Sequence, residues 1–114
     1  MKRIEAFVQS DKTSLVVDAI TKAGVKGLTV FSGRGQGRGK RPMVESSRGT
    51  TRHVAEYNEI DSIVTVVEDS SVDPVITAIV NAAGTGSKED GKIFVSTVDD
   101  VIDIGSKQKG SIAL

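Results

Sequence analysis

The chain has 114 residues, is 38% apolar but only 4% aromatic, and carries no cysteine, no tryptophan and a formal net charge of zero. That length is one domain, 1–114, able to bury roughly two-thirds of its unfolded surface around Val, Ile, Ala and Leu. The composition excludes disulfides, thiolate metal sites and a cysteine nucleophile, and no apolar run approaches the roughly 20 residues of a membrane span; a cytoplasmic protein is expected.

Residues 2–9 alternate, with Ile4, Ala6 and Val8 on one face and Arg3, Glu5, Phe7 and Gln9 on the other. That predicts a strand with Phe7 as an apolar residue on the second face. Ser10 and Asp11 are cap-type residues, and Leu15, Val16, Ala19, Ile20 and Ala23 then recur at helical spacing up to Gly24, a C′ glycine. Residues 25–32 read as a second strand carrying Leu28, Val30 and Phe31.

That strand runs into Gly33-Arg34-Gly35-Gln36-Gly37-Arg38-Gly39-Lys40-Arg41, four glycines at alternate positions with basic residues between them. Glycine leaves nothing to block a close ligand. Successive N–H groups in such a loop can form an anion-binding concavity, and arginines can fork onto phosphate. The stretch satisfies neither the dinucleotide fingerprint nor the Walker pattern, and a basic linker is the plain alternative. Residues 34–53 hold six Lys/Arg and one acid, Glu45. Residues 33–58 lack apolar periodicity, so a flexible loop at about 34–58 is expected, functional or disordered.

Residues 60–67 alternate again, with Ile60, Ser62, Val64 and Val66 on one side and Ile63, Thr65 and Val67 on the other. Residues 68–71 are a turn. Val72, Val75, Ile76, Ile79, Val80 and Ala83 give the next segment a helical stripe, with Pro74 in its first turn. Residues 84–91 form a second glycine-bearing loop, 92–98 a strand, 99–104 its extension or a short turn, and 105–114 a tail. The order β-α-β-(arm)-β-α-β is that of an α+β, ferredoxin-like βαββαβ fold with a four-stranded antiparallel sheet and both helices on one face. Phe7 with Ile63, Thr65 and Val67 suggests that the other face meets another subunit.

Five separated stretches give the chain its likeness. Met1-Lys2-Arg3-Ile4-Glu5-Ala6 resembles the first strand of the PII signal-transduction family, and Gly27-Leu28-Thr29-Val30 its second-strand signature. Gly35-x-Gly37-Arg38 resembles the start of that family's T-loop, and Arg48-Gly49 the pair inside it. Thr85-Gly86-x-x-x-Asp90-Gly91-Lys92-Ile93-Phe94-Val95 is similar to its B-loop and following strand. The resemblance implies a homotrimer that binds ATP or ADP between subunits, with AMP a further candidate. It implies control of an ammonium channel or a nitrogen-metabolism protein through the loop, in the cytoplasm or peripherally at the membrane through a transporter.

By the same resemblance Thr29 meets adenine, while Gly35, Gly37 and Arg38 meet the phosphates from one loop and Gly91 and Lys92 from the other. The two loops would belong to neighbouring copies of the chain. Arg41, Arg48, Gly49, Thr51 and Arg52 lie in the partner-binding loop. The family's glutamine for Mg²⁺ and 2-oxoglutarate falls at Gly39, which offers no side-chain ligand, and its lysine for 2-oxoglutarate falls near Ile60, where Glu59 and Asp61 would repel a dicarboxylate. The resemblance therefore carries neither ligand over. Its two C-terminal arginines fall at Asp103 and Gly105, which weakens any preference for ATP over ADP or AMP.

Each residue also has a bland reading. Arg38 and Lys92 could be solvated charges, Thr29 a strand residue, His53 an exposed histidine, and Tyr57 packing at the loop base. Three functions compete: the nucleotide sensor, a PII-like ADP/AMP sensor for another transporter such as bicarbonate, and a nucleic-acid binder using the Arg-Gly arm. The last is disfavoured because no aromatic residue lies within the Arg-Gly run. No general base–nucleophile pair is visible, so no enzyme and no metal site is expected.

Overall fold

A computed structural model describes residues 1–37 and 57–114, and the backbone alone of 43–45 and 52–54. The strands are β1 (Lys2–Gln9), β2 (Thr29–Gly35), β3 (Met43–Glu45), β4 (Arg52–Val54), β5 (Asn58–Val67) and β6 (Lys92–Thr97); the helices are α1 (Thr13–Lys22) and α2 (Val72–Ala83). Four strands make one antiparallel sheet in the order β2-β5-β1-β6, and β3 pairs with β4 in a separate two-stranded ladder. This is the expected βαββαβ architecture.

The alternation of β1 becomes its packing. Ile4, Ala6 and Val8 face the helices and are buried against Val16 and Ile20 of α1 and Val75, Ile79 and Ala83 of α2. Burying an Ile or Val side chain stabilises by roughly 1.5–3 kcal/mol, so this stripe carries much of the fold. Each helical stripe is narrower than its apolar residues suggest. Leu15 and Val80 lie about 100° round from Val16 and Ile79, and both remain half exposed.

The faces of β5 are the reverse of the expectation. Ile63, Thr65 and Val67 pair with Ala6, Ile4 and Lys2, and are buried on the helix side. The open face instead carries Phe7, Phe31 and Phe94, the chain's three phenylalanines, with Val64 and Val66. Within it the Ser62 hydroxyl donates to Glu5 Oε2 at 2.8 Å, and Arg3 pairs with Glu5 at 3.3 Å.

Two boundaries moved. β2 begins at Thr29, not at residue 25, because residues 23–25 still close the end of α1: Val25 N–H donates to Ile20 O, and Gly24 adopts φ +100°. The Thr65 hydroxyl then fixes Gly27 by donating to its carbonyl at 2.6 Å. β2 also runs on through Gly33 and Arg34 to Gly35, because Asn58, Glu59 and Ile60 pair with them. Of the two readings of residues 99–104 the turn holds, and it closes onto the tail: Ile102 bridges Lys109, and Gly110 N–H donates to Val101 O at 2.9 Å. Ser10 does not cap α1. Its hydroxyl donates to Asp61 Oδ1 across the core edge at 3.3 Å.

Candidate anion groove

The open-face ends of β1, β5 and β6 and the root of the arm enclose a groove of about 800 Å³. Gly35, Gln36 and Gly37 form one wall. Ser87, Lys88, Glu89, Gly91 and Lys92 form the opposite wall. The floor is apolar: Ile60, with Phe7 and Phe94 in an edge-to-face pair 5.8 Å between centroids. Both glycine loops therefore line one groove of a single chain, whereas the sequence reading drew them from neighbouring copies.

Register explains which residues reach the groove. Gly33, Gly35, Ile60, Phe7, Gln9, Lys92 and Phe94 share one face of the sheet, because Gly35 pairs with Asn58, Gly33 with Ile60, and Phe7 with Lys92. Arg34 has the opposite parity. Its guanidinium stacks over the Tyr57 ring at 5.6 Å, which gives Tyr57 the packing role expected at the loop base. The Arg-Gly alternation thus sends Gly35 to the groove and this arginine away from it.

The glycines differ in what they permit. Gly91 has φ +113°, and a β-carbon there would fall 1.8 Å from the Phe7 carbonyl oxygen. The fold demands glycine at this point whatever binds nearby. At Gly37 a β-carbon would meet nothing within 4 Å, and at Gly35 it would meet only the tip of Ile60 at 2.9 Å.

Residues 85–90 are held chiefly by the Asp90 carboxylate, while the Ser87 hydroxyl donates to Glu89 Oε2. Asp90 Oδ2 accepts the amide of Thr85 at 2.6 Å and that of Ser87 at 3.1 Å, while Oδ1 accepts the Thr85 hydroxyl at 2.6 Å. The Thr85 hydroxyl foremost, then its amide, holds the Asp90 carboxyl below the usual carboxylate range. Gln9 Nε2 donates to Glu89 O at 2.9 Å and ties the loop to β1. Lys92 is exposed and has no ion-pair partner among the described residues.

Asp61, expected beside Ile60 as a repulsive charge, faces the other way. It pairs with Val8 and Ser32, is buried on the helix side, and accepts the Thr13 hydroxyl at 2.5 Å as well as that of Ser10. The Thr13 hydroxyl foremost, with Ser32 and Ser10, holds its carboxyl low against the opposing effect of burial. Asp103 likewise accepts the Ser106 hydroxyl at 2.5 Å and its amide at 3.0 Å rather than pairing with Lys107 or Lys109.

Of the sequence-derived site residues, Gly35, Gly37, Gly91 and Lys92 come together in the groove. Thr29 does not line it. Thr29 stands six positions before Gly35 on β2, about 20 Å away at strand rise. Arg38, Arg41, Arg48, Gly49 and Thr51 lie outside the described residues, as does the side chain of Arg52. Sequence reasoning missed the Asp90 clasp and the aromatic floor, and it turned Asp61 toward the ligand rather than the core. Of the two it missed, only the clasp left a signal, a threonine and a serine five and three positions before an aspartate.

No group of His, Asp and Glu among the described residues could hold a metal ion, and no described helix is long and apolar enough to cross a membrane. The chain matches the family model described as nitrogen regulatory protein P-II over residues 1–108. It is 40% identical to the nitrogen regulatory protein P-II of Azospirillum brasilense, over all of both chains. It is 39% identical to that of Synechocystis sp. over all of both chains, and 39% identical to the nitrogen regulatory protein P-II 2 of Methanothermobacter thermautotrophicus over all of this chain and 97% of that one.

Proposed function

The chain belongs to the nitrogen regulatory protein P-II family, a family of non-enzymatic signal transducers, and from that premise we propose that its groove binds an adenine nucleotide whose state governs the arm. One observation carries this reading: Gly35, Gly37, Gly91 and Lys92, which has no ion-pair partner among the described residues, line one groove over an apolar floor. Phosphates lie against the glycine amides, where no side chain bars them, and Lys92 with Arg38 supplies positive charge. The apolar floor suits a base or ribose better than a second anion.

Thr29 cannot reach a ligand in its own groove, so its adenine contact comes from an adjacent copy. This supports binding between the subunits of a homotrimer, with the phenylalanine-bearing open face turned toward the other copies. Phosphates that order the arm shift it between states that a partner distinguishes, and the energy of the switch is the nucleotide's differential affinity for those states. The partner is an ammonium channel or a nitrogen-metabolism protein, met through Arg41, Arg48, Gly49, Thr51 and Arg52, in the cytoplasm or at the membrane surface.

A specific observation favours a variant of this reading. Ile60 puts an alkyl group into the groove, and Asp103 is occupied by Ser106. Neither can hold an anionic co-ligand or an outer phosphate. On this variant ADP or AMP serves as well as ATP, 2-oxoglutarate is not sensed, and the regulated system extends to another transporter such as one for bicarbonate. Calorimetric titration with ATP, ADP and AMP, with and without 2-oxoglutarate and Mg²⁺, tests both. No heat with any nucleotide overturns the reading; binding that needs 2-oxoglutarate overturns the variant.

A further inference from the structure

We propose that Asp90 is a positioning residue that shapes the phosphate wall of the groove while keeping its own charge out of it. The inference rests on the nucleotide reading above. Residues 84–92 partition two spaces: the 800 Å³ groove in front, and a cavity of about 350 Å³ behind, under the C-terminal end of α2. Ser87, Gly91 and Lys92 line both; Lys88 and Glu89 line only the groove, and Asp90 lines only the rear cavity.

From behind, the carboxylate gathers the Thr85 amide, the Thr85 hydroxyl and the Ser87 amide. These bonds close the loop into a ring from residue 85 to residue 90. Gly91 follows at once, seated on the Phe7 carbonyl, and Lys92 begins β6 opposite Phe7. The exit of the ring thus fixes where Lys92 leaves the backbone. Glu89 already brings one acid to the groove, and a second carboxylate there would add to the repulsion of phosphate; satisfied from behind by three donors, Asp90 organises the wall without adding to it.

The test compares wild type with Asp90→Ala, Asp90→Asn and Thr85→Val. It reads ADP affinity by calorimetry and amide hydrogen exchange at Thr85 and Ser87 in the unliganded protein. Asp90→Ala is expected to speed exchange at both amides and weaken ADP binding about ten-fold or more, the usual consequence of a displaced contact group. Asn keeps an oxygen that accepts amide protons, so Asp90→Asn should recover most of both. Thr85→Val, which loses only the hydroxyl bond, should fall between and keeps the test open if Asp90→Ala does not fold.

If the charge acted on the ligand directly, Asp90→Asn would bind ADP more tightly than wild type, and the proposal would be overturned. It is also overturned if Asp90→Ala and Thr85→Val match wild type in affinity, whatever happens to exchange. A wild-type protein that takes no ADP overturns the nucleotide reading instead, and exchange then reports separately on whether the clasp exists.

Discussion

Gly91 rests against the carbonyl of Phe7 so closely that no other L-residue fits: its φ is +113°, and a β-carbon would come within 1.8 Å of that oxygen. The second glycine loop is thereby seated on β1 at the point where β1 supplies the groove's aromatic floor. Gly91→Ala should destabilise the protein by about 1–3 kcal/mol or more, since left-handed strain is joined by a backbone clash. Gly37→Ala, with nothing within 4 Å, should stay within about 0.5 kcal/mol of wild type. Urea unfolding of the pair checks this; equal stabilities would contradict the geometry.

Arg34 and Tyr57 should be coupled to each other and not to the ligand. A double-mutant cycle of Arg34→Ala and Tyr57→Ala, read by chemical unfolding, should give about 0.5–1 kcal/mol, the range for an exposed cation–π contact. Nucleotide affinity should be unchanged in Arg34→Ala because the side chain faces away from the groove. A ten-fold loss of affinity would mean that this register is wrong.

Lys92 should behave in the opposite way. Lys92→Gln removes a groove-wall cation that, like Lys88, has no ion-pair partner among the described residues, and a charge-assisted bond to phosphate is worth about 1.5–3 kcal/mol. ADP affinity should fall at least about ten-fold, with the unfolding midpoint nearly unmoved. Unchanged affinity would remove Lys92 from the site.

The buried Asp61 makes acid stability informative. Its pKa in the folded protein lies below the ordinary 3.8, held there chiefly by the Thr13 hydroxyl. Its carboxylate therefore stabilises the fold above that ordinary value, and the contribution disappears as pH falls through the lowered folded pKa. Asp61→Asn should cost about 1.5–3 kcal/mol near neutral pH, where charged hydrogen bonds are lost. The gap between wild type and variant should shrink as the solution is acidified below 3.8. A gap that holds constant or widens with acid would contradict the assignment.

Much of this was legible in the residues. Period-two alternation in residues 2–9 and 60–67 and helical spacing in 15–23 and 72–83 marked the sheet and helices, and Gly24 marked the end of α1 where its φ is indeed positive. The inward face of β5 was not legible. Ile63 and Val67 are no more apolar than Val64 and Val66, and only register against Ile4 and Ala6 decides which side is buried. The start of β2 was obscured because residues 25–28 look like strand but are held by bonds to α1 and to Thr65.

The groove was legible in part. Glycine spacing and basic residues pointed to its two walls. That one chain brings both walls together depends on β2, β5, β1 and β6 lying side by side, which no local pattern states. The direction of Asp61 was within local reach: one position after Ile60 in an alternating strand it must point to the other face, and pairing of β5 with β1 turns that face to the helices.

The most direct test is a crystal of the protein soaked with ADP. Density for the phosphates should lie between Gly35–Gly37 and Gly91–Lys92, with the Lys92 ammonium within hydrogen-bond distance of a phosphate oxygen and Thr29 of an adjacent copy at the base. An ADP bound elsewhere, or a groove empty at saturating nucleotide, would contradict the account.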